Sequence, residues 1–135
     1  MKPLFSSEHL TIVDYGSTIY YRMSGKQLSL DIAEQAIESR LSVVNRAHYG
    51  LFDYRDIRKV EFAAIKALTS DDAYAHLKAS AVVLSGELGA VLGDIYYNMR
   101  QPPFHSKYFT DIEAAFSWLE QFEDLKTTEL RRDLM

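Results

Sequence analysis

Apolar and polar positions recur along this chain with two different periods, and the switches between them divide it into strands and helices. Leu10-Thr11-Ile12-Val13-Asp14-Tyr15 and Thr18-Ile19-Tyr20-Tyr21-Arg22-Met23 are short β-rich runs. Gly16-Ser17 between them suits a tight hairpin, because glycine supplies the positive φ. After Gly25, Ser29 can cap a helix with Asp31 in its first turn, and Leu30, Ala33, Ile37, Leu41 and Val44 recur every third or fourth position. Tyr49-Gly50-Leu51-Phe52-Asp53-Tyr54 has apolar residues on both faces, as a central strand covered on two sides requires. Two short helical pieces, Glu61 to Leu68 and Asp71 to Leu77, are predicted next, with Ser70 capping the second.

The continuous apolar run Ala81-Val82-Val83-Leu84 is a further strand, ended by Ser85-Gly86. Leu88, Val91, Leu92, Ile95, Tyr96 and Met99 then keep helical spacing as far as Pro102-Pro103. Lys107-Tyr108-Phe109 is a last short strand. Thr110-Asp111-Ile112-Glu113 fits a capping box with Thr110 as the cap, before a stripe of Ile112, Ala115, Leu119 and Phe122. The order is β-β-α-β-α-β-α-β-α, an α/β single domain. Right-handed crossovers make its sheet mixed but mainly parallel, with one antiparallel pair and packed helices. The domain spans residues 1–122, and 123–135 reads as a charged C-terminal tail or helix extension.

These residues resemble a known family. Ser24-Gly25 ends the strand pair, Asp53-Tyr54-Arg55 closes the third strand, and Ser80-Ala81-Val82-Val83 forms the fourth. Tyr108-Phe109-Thr110-Asp111-Ile112-Glu113-Ala114-Ala115-Phe116-Ser117-Trp118-Leu119 is similar to the ending of SpoIIAA-like proteins with the STAS/Sec14-type fold. The resemblance runs from about Leu10 to Phe122 and contains no catalytic motif. It implies a small α/β binding domain whose relatives either antagonise anti-sigma factors or carry lipids. STAS regulators switched by phosphorylation bear a serine where the helix after the third strand begins. This chain has Glu61-Phe62-Ala63-Ala64 there, so the resemblance does not bring the phosphoserine switch with it.

Charge and composition narrow the function further. Fifteen basic against nineteen acidic side chains leave a net charge of −4, the wrong sign for a domain that gains affinity by neutralising phosphates, so no nucleic-acid partner is expected. The absence of cysteine excludes disulfides, thiolate metal sites and a cysteine nucleophile, and fits a cytoplasmic location. No stretch approaches the ~20 apolar residues of a membrane span, and the N-terminus has no signal-peptide core, so an integral membrane protein is not expected. Aromatic residues are plentiful, with 9 Tyr, 7 Phe and 1 Trp. Most of the tyrosines fall on strands, where a flat ring suits a half-buried surface.

The candidate chemistry is sparse. His9, His48, His76 and His105 share no ligand spacing and read as surface or capping residues, so no metal is expected. There is no G-x-S-x-G elbow for a serine nucleophile. Gly86, Gly89 and Gly93 begin a helix after a strand, but the phosphate-loop lysine is missing and Glu87 would repel an anion. Turn formation at Gly86 and close helix packing at Gly89 and Gly93 account for them. Asp14, Asp53 and Asp56 fit backbone capping or pairing with Arg55 or Arg58.

Ligands of open α/β sheets bind at the carboxyl ends of the parallel strands. That rule selects Tyr54 and Arg55 after one strand, and Ser85, Gly86 and Glu87 after the next, with Tyr96 and Tyr97 as an apolar wall. The leading expectation is a non-enzymatic binding or regulatory module for a partner protein or a small apolar ligand, with no cofactor and no catalytic residues. The alternatives are a lipid carrier of Sec14 type and, below it, a small enzyme with a site near Asp53 and Arg55. Exposed aromatics at helix ends also fit a homodimer.

Overall fold

The computed structural model describes residues 1–96, 101–122 and 128–135, and for residues 91 and 93–96 it describes the backbone alone. The predicted α/β order is present, with additions at its start and its crossovers. The strands are β1 (Lys2–Ser6), β2 (Leu10–Asp14), β3 (Thr18–Met23), β4 (Gln27–Leu28), β5 (His48–Tyr54), β6 (Lys59–Val60), β7 (Leu77–Leu84) and β8 (His105–Phe109). The helices are α1 (Leu30–Val43), α2 (Phe62–Leu68), α3 (Asp71–Tyr74), α4 (Gly86–Tyr96), α5 (Ile112–Leu119) and α6 (Thr128–Leu134). Six strands form one sheet in the order β1-β2-β3-β5-β7-β8, and β4 pairs with β6 in a separate two-stranded ribbon.

β1, β2 and β3 run antiparallel, and β3, β5, β7 and β8 run parallel. The sheet therefore has two antiparallel pairings where the sequence predicts one, because Lys2–Ser6 adds an edge strand. Its Met1-Lys2-Pro3 start carries little apolar signal, and pairing with β2 supplies what propensity does not. The predicted hairpin turn is in place: Gly16 has φ 94° and its amide donates to Asp14 Oδ1 at 2.8 Å.

Strand order explains the layers. From β3 to β8 each crossover steps in the same direction, and right-handed connections then deliver α1, α2, α3 and α4 to one face of the sheet. α5 and α6 follow the edge strand β8 and cover the opposite face. Strand residues divide between the two by alternation. Tyr21, Met23, Phe52, Val82 and Leu84 meet α1–α4, whereas Tyr20, Leu51, Ala81 and Val83 meet α5 and α6.

Several boundaries differ from the sequence reading. α3 ends at Tyr74, and Leu77 already belongs to β7, which is twice the length of the apolar run that predicts it. Asp111, not Thr110, caps α5, accepting the Glu113 amide at 3.2 Å. Ile112, Ala115 and Leu119 of the predicted stripe are buried with Phe116 added, whereas Phe122 lies beyond the end of α5 and is half-buried. Residues 128–134 form α6, whose Leu130 is fully buried and whose Asp133 accepts the Tyr15 hydroxyl at 2.9 Å. Gly86 shows no positive φ and a Cβ there would meet nothing, so turn geometry does not require it. Gly89 does pack closely, since a Cβ would lie 3.0 Å from Thr110 Cγ2.

Candidate functional site: a cavity beneath α1–α4

A cavity of about 120 Å³ lies between the sheet and α1–α4. Phe52, Val82 and Tyr108 belong to its floor, Leu88 and Leu92 of α4 to one wall, and Phe104 to the Pro-rich turn beside it. Local sequence builds it in two ways. Gly50 faces the same side as Phe52, and a Cβ there would lie 2.6 Å from that ring, so glycine leaves the ring its seat. Phe52 then stacks on Tyr21 with centroids 4.7 Å apart and planes 8° apart. Residues of α1, α2, α3 and α4 all line the space over this floor.

Polar groups on the lining are few. Ser80 and Ser106 pair through their hydroxyls at 2.8 Å between adjacent strands. Arg40 of α1 also lines the cavity and is only 3% exposed. Its Nη1 donates to the Ala75 carbonyl at 2.8 Å, and its Nη2 to the carbonyls of Asp72 at 2.9 Å and Ala73 at 2.5 Å. The guanidinium thereby caps the end of α3, and it lies 5.9 Å from the centroid of the Tyr21 ring.

Behind Tyr21 stands His48. Its Nδ1 lies 2.9 Å from the Arg46 carbonyl, which can only accept, so Nδ1 carries the proton and Nε2 accepts from the Tyr21 hydroxyl at 2.7 Å. Burial pushes the imidazole down to about 4, with Arg40 and Arg46 adding repulsion, and pushes the Tyr21 phenol up to about 12. His48 is thus a neutral core residue rather than the surface or capping histidine that its isolated position suggests.

The residues selected from sequence do not all meet. Tyr54 lines the cavity, its phenol pushed up to about 12 by burial, and its ring is tilted against Phe52 at 6.2 Å. Arg55, its neighbour, points to the other side of the sheet, as strand alternation dictates. There it donates to Asp53 through Nε at 2.9 Å and Nη2 at 2.8 Å, while Tyr20 donates to the same carboxylate at 2.6 Å. Burial alone would raise the Asp53 carboxyl, but these bonds overcome it and hold the group below the usual carboxylate range. Asp53 and Arg55 form a closed structural pair that does not open on the cavity.

Ser85 is likewise occupied. Its hydroxyl donates to the Ile57 carbonyl and accepts the Leu88 amide, both at 3.2 Å, starting α4 and tying down the loop after β5. Gly86 and Glu87 are exposed in the first turn of α4 and do not line the cavity. The side chain of Tyr96 and all of Tyr97 lie outside the described residues. Arg40, Ser80 and Ser106 escape the sequence reading. The available signal for Arg40 is its place on the apolar stripe of α1, three residues after Ile37 and seven after Ala33.

The pattern of one protein family matches residues 18–123, most of the chain. The chain belongs to the DUF7793 family, a domain of unknown function. The matched span of this DUF7793 domain starts at β3 and takes in the cavity floor, α1–α4 and α5. No curated protein matches it. A solved structure of an uncharacterised DUF3478-family protein with a SpoIIAA-like fold, from Shewanella loihica PV-4, is similar over 85% of this chain and 98% of that one, at 19% identity and a TM-score of 0.54. The DUF7793 domain therefore has a SpoIIAA-like fold, as the sequence resemblance implies. Among its described residues no helix is long and apolar enough to cross a membrane.

Proposed function

We propose that this DUF7793 domain is a non-enzymatic binding module that takes a small apolar ligand in the cavity beneath α1–α4. The cavity itself supports the reading: about 120 Å³ of largely apolar volume in a domain whose opposite face is closely packed. An apolar cavity of ~150 Å³ accepts benzene, so this one suits a ring-sized or short-chain molecule and is too small to enclose a whole lipid. The acid, base and nucleophile candidates in the sequence favour binding over catalysis, because Asp53 and Ser85 spend their polar atoms on structural bonds.

Toluene, titrated into ¹⁵N-labelled protein and followed by amide chemical shifts, tests this directly. Saturable shifts are expected around Phe52, Val82 and Leu88, and Ala36→Leu, which fills the cavity from α1, should suppress them. An unchanged spectrum from folded protein, or shifts that persist in Ala36→Leu, would sink the reading.

A further inference from the structure

We infer that the ligand of this cavity carries a carboxylate, and that Arg40 is the residue that receives it. The inference rests on the cavity reading above and adds the chemistry of the ligand's head. Arg40 is a buried cation on an otherwise apolar wall. Buried charges are ordinarily paired with an opposite charge, because desolvation is costly. Yet the partners of Arg40 are uncharged, three carbonyls at the end of α3 and the Tyr21 side chain, and among the described residues no carboxylate lies within ion-pair distance of it. Other arginines in the same domain do find carboxylates: Arg22 on Asp56, Arg46 on Asp14 and Arg55 on Asp53.

The groups facing Arg40 do not supply the missing charge. Tyr21 keeps its proton through burial, His48 is neutral at pH 7, and the side chain of Asp72 is exposed while only its carbonyl reaches the guanidinium. The three carbonyls take both Nη2 hydrogens and one of Nη1 and hold the guanidinium rigidly, while Nε takes part in none of those bonds. Nε is thus left to give a carboxylate one charge-assisted hydrogen bond. One buried cation also balances one carboxylate, whereas a phosphate monoester carries more charge than it offsets. The occupant is thus a small amphipathic acid: a ring-sized apolar body over Phe52 and Val82, with its carboxylate turned toward α1.

Two probes of equal size separate this inference from the cavity reading beneath it. 3-Phenylpropanoate and the neutral 3-phenylpropanol are titrated at pH 7.5 against the full chain, again by amide shifts. The acid should bind at least ~10-fold more tightly, the usual return of a hydrogen bond to a charged group. Arg40→Gln should abolish that preference while leaving the alcohol within about threefold, and Arg40→Lys should keep part of it. Equal affinities in the wild type, or an acid preference surviving in Arg40→Gln, overturn the carboxylate assignment and leave the cavity reading standing. If neither probe binds, the carboxylate assignment falls, and the toluene titration alone decides the cavity reading. Should Arg40→Gln not fold, the wild-type ratio of acid to alcohol decides alone.

Discussion

The two faces of the sheet use similar residues for opposite ends. On the α5/α6 face, Leu51, Ala79, Ala81 and Val83 meet Phe116, Leu119 and Leu130, and all seven are fully buried. Its polar groups close on one another, Tyr20 and Arg55 on Asp53. On the α1–α4 face, equally apolar strand residues meet four short helices and leave a void with a buried cation on its wall. Both faces bury a full apolar cluster, and they differ in that the α1–α4 face also keeps a space open. Function is to be sought on the face that keeps it.

Truncation on the packed face should give the largest effect. Phe116→Ala removes a fully buried ring with nowhere to collapse, and should cost about 3–5 kcal/mol in denaturant unfolding. A loss below about 1.5 kcal/mol would show that this face is no better packed than the other.

Acid should loosen the cavity face first. His48 titrates near 6.5 unfolded and about 4 folded, so the unfolded chain binds more protons between those values. Stability is therefore full above pH 6.5 and falls as pH drops, by up to about 3 kcal/mol at pH 4. Asp53, on the packed face, has its carboxyl lowered from 3.8, so its contribution is lost only at still lower pH. Urea unfolding from pH 7 to pH 4 measures the first loss, and His48→Gln should flatten that slope. An unchanged slope in His48→Gln would assign the loss elsewhere.

The smallest effect belongs to the cavity wall. Leu92→Ala enlarges a space that already exists, so its cost should stay below about 1.5 kcal/mol, with toluene still bound. A cost equal to that of Phe116→Ala would erase the distinction between the two faces.

The part of this molecule legible in its sequence is the part governed by local periodicity. The β2–β3 hairpin with Gly16, the amphipathic α1, the buried strand ending at Tyr54, the α4 start at Ser85 and the stripe of α5 all follow from spacing and capping. β1 and the β4–β6 ribbon are absent from that reading, because short strands with few alternating positions are made by their partners rather than by propensity.

The site was legible only in part. The rule of strand ends points to Tyr54 correctly but joins it to Arg55, which alternation sends to the other face. The place of Arg40 on the apolar stripe of α1 hints at its burial, but its partners are carbonyls more than thirty residues away, which no local pattern reveals. By itself the sequence determined the α/β order and the acidic, cysteine-free chemistry, which depend on near neighbours or on composition, and its resemblance to SpoIIAA-like proteins implied the fold. Which face closes and which stays open was decided by tertiary structure alone. That choice depends on the common direction of three crossovers, which brings α1–α4 to one face and leaves the other to α5 and α6.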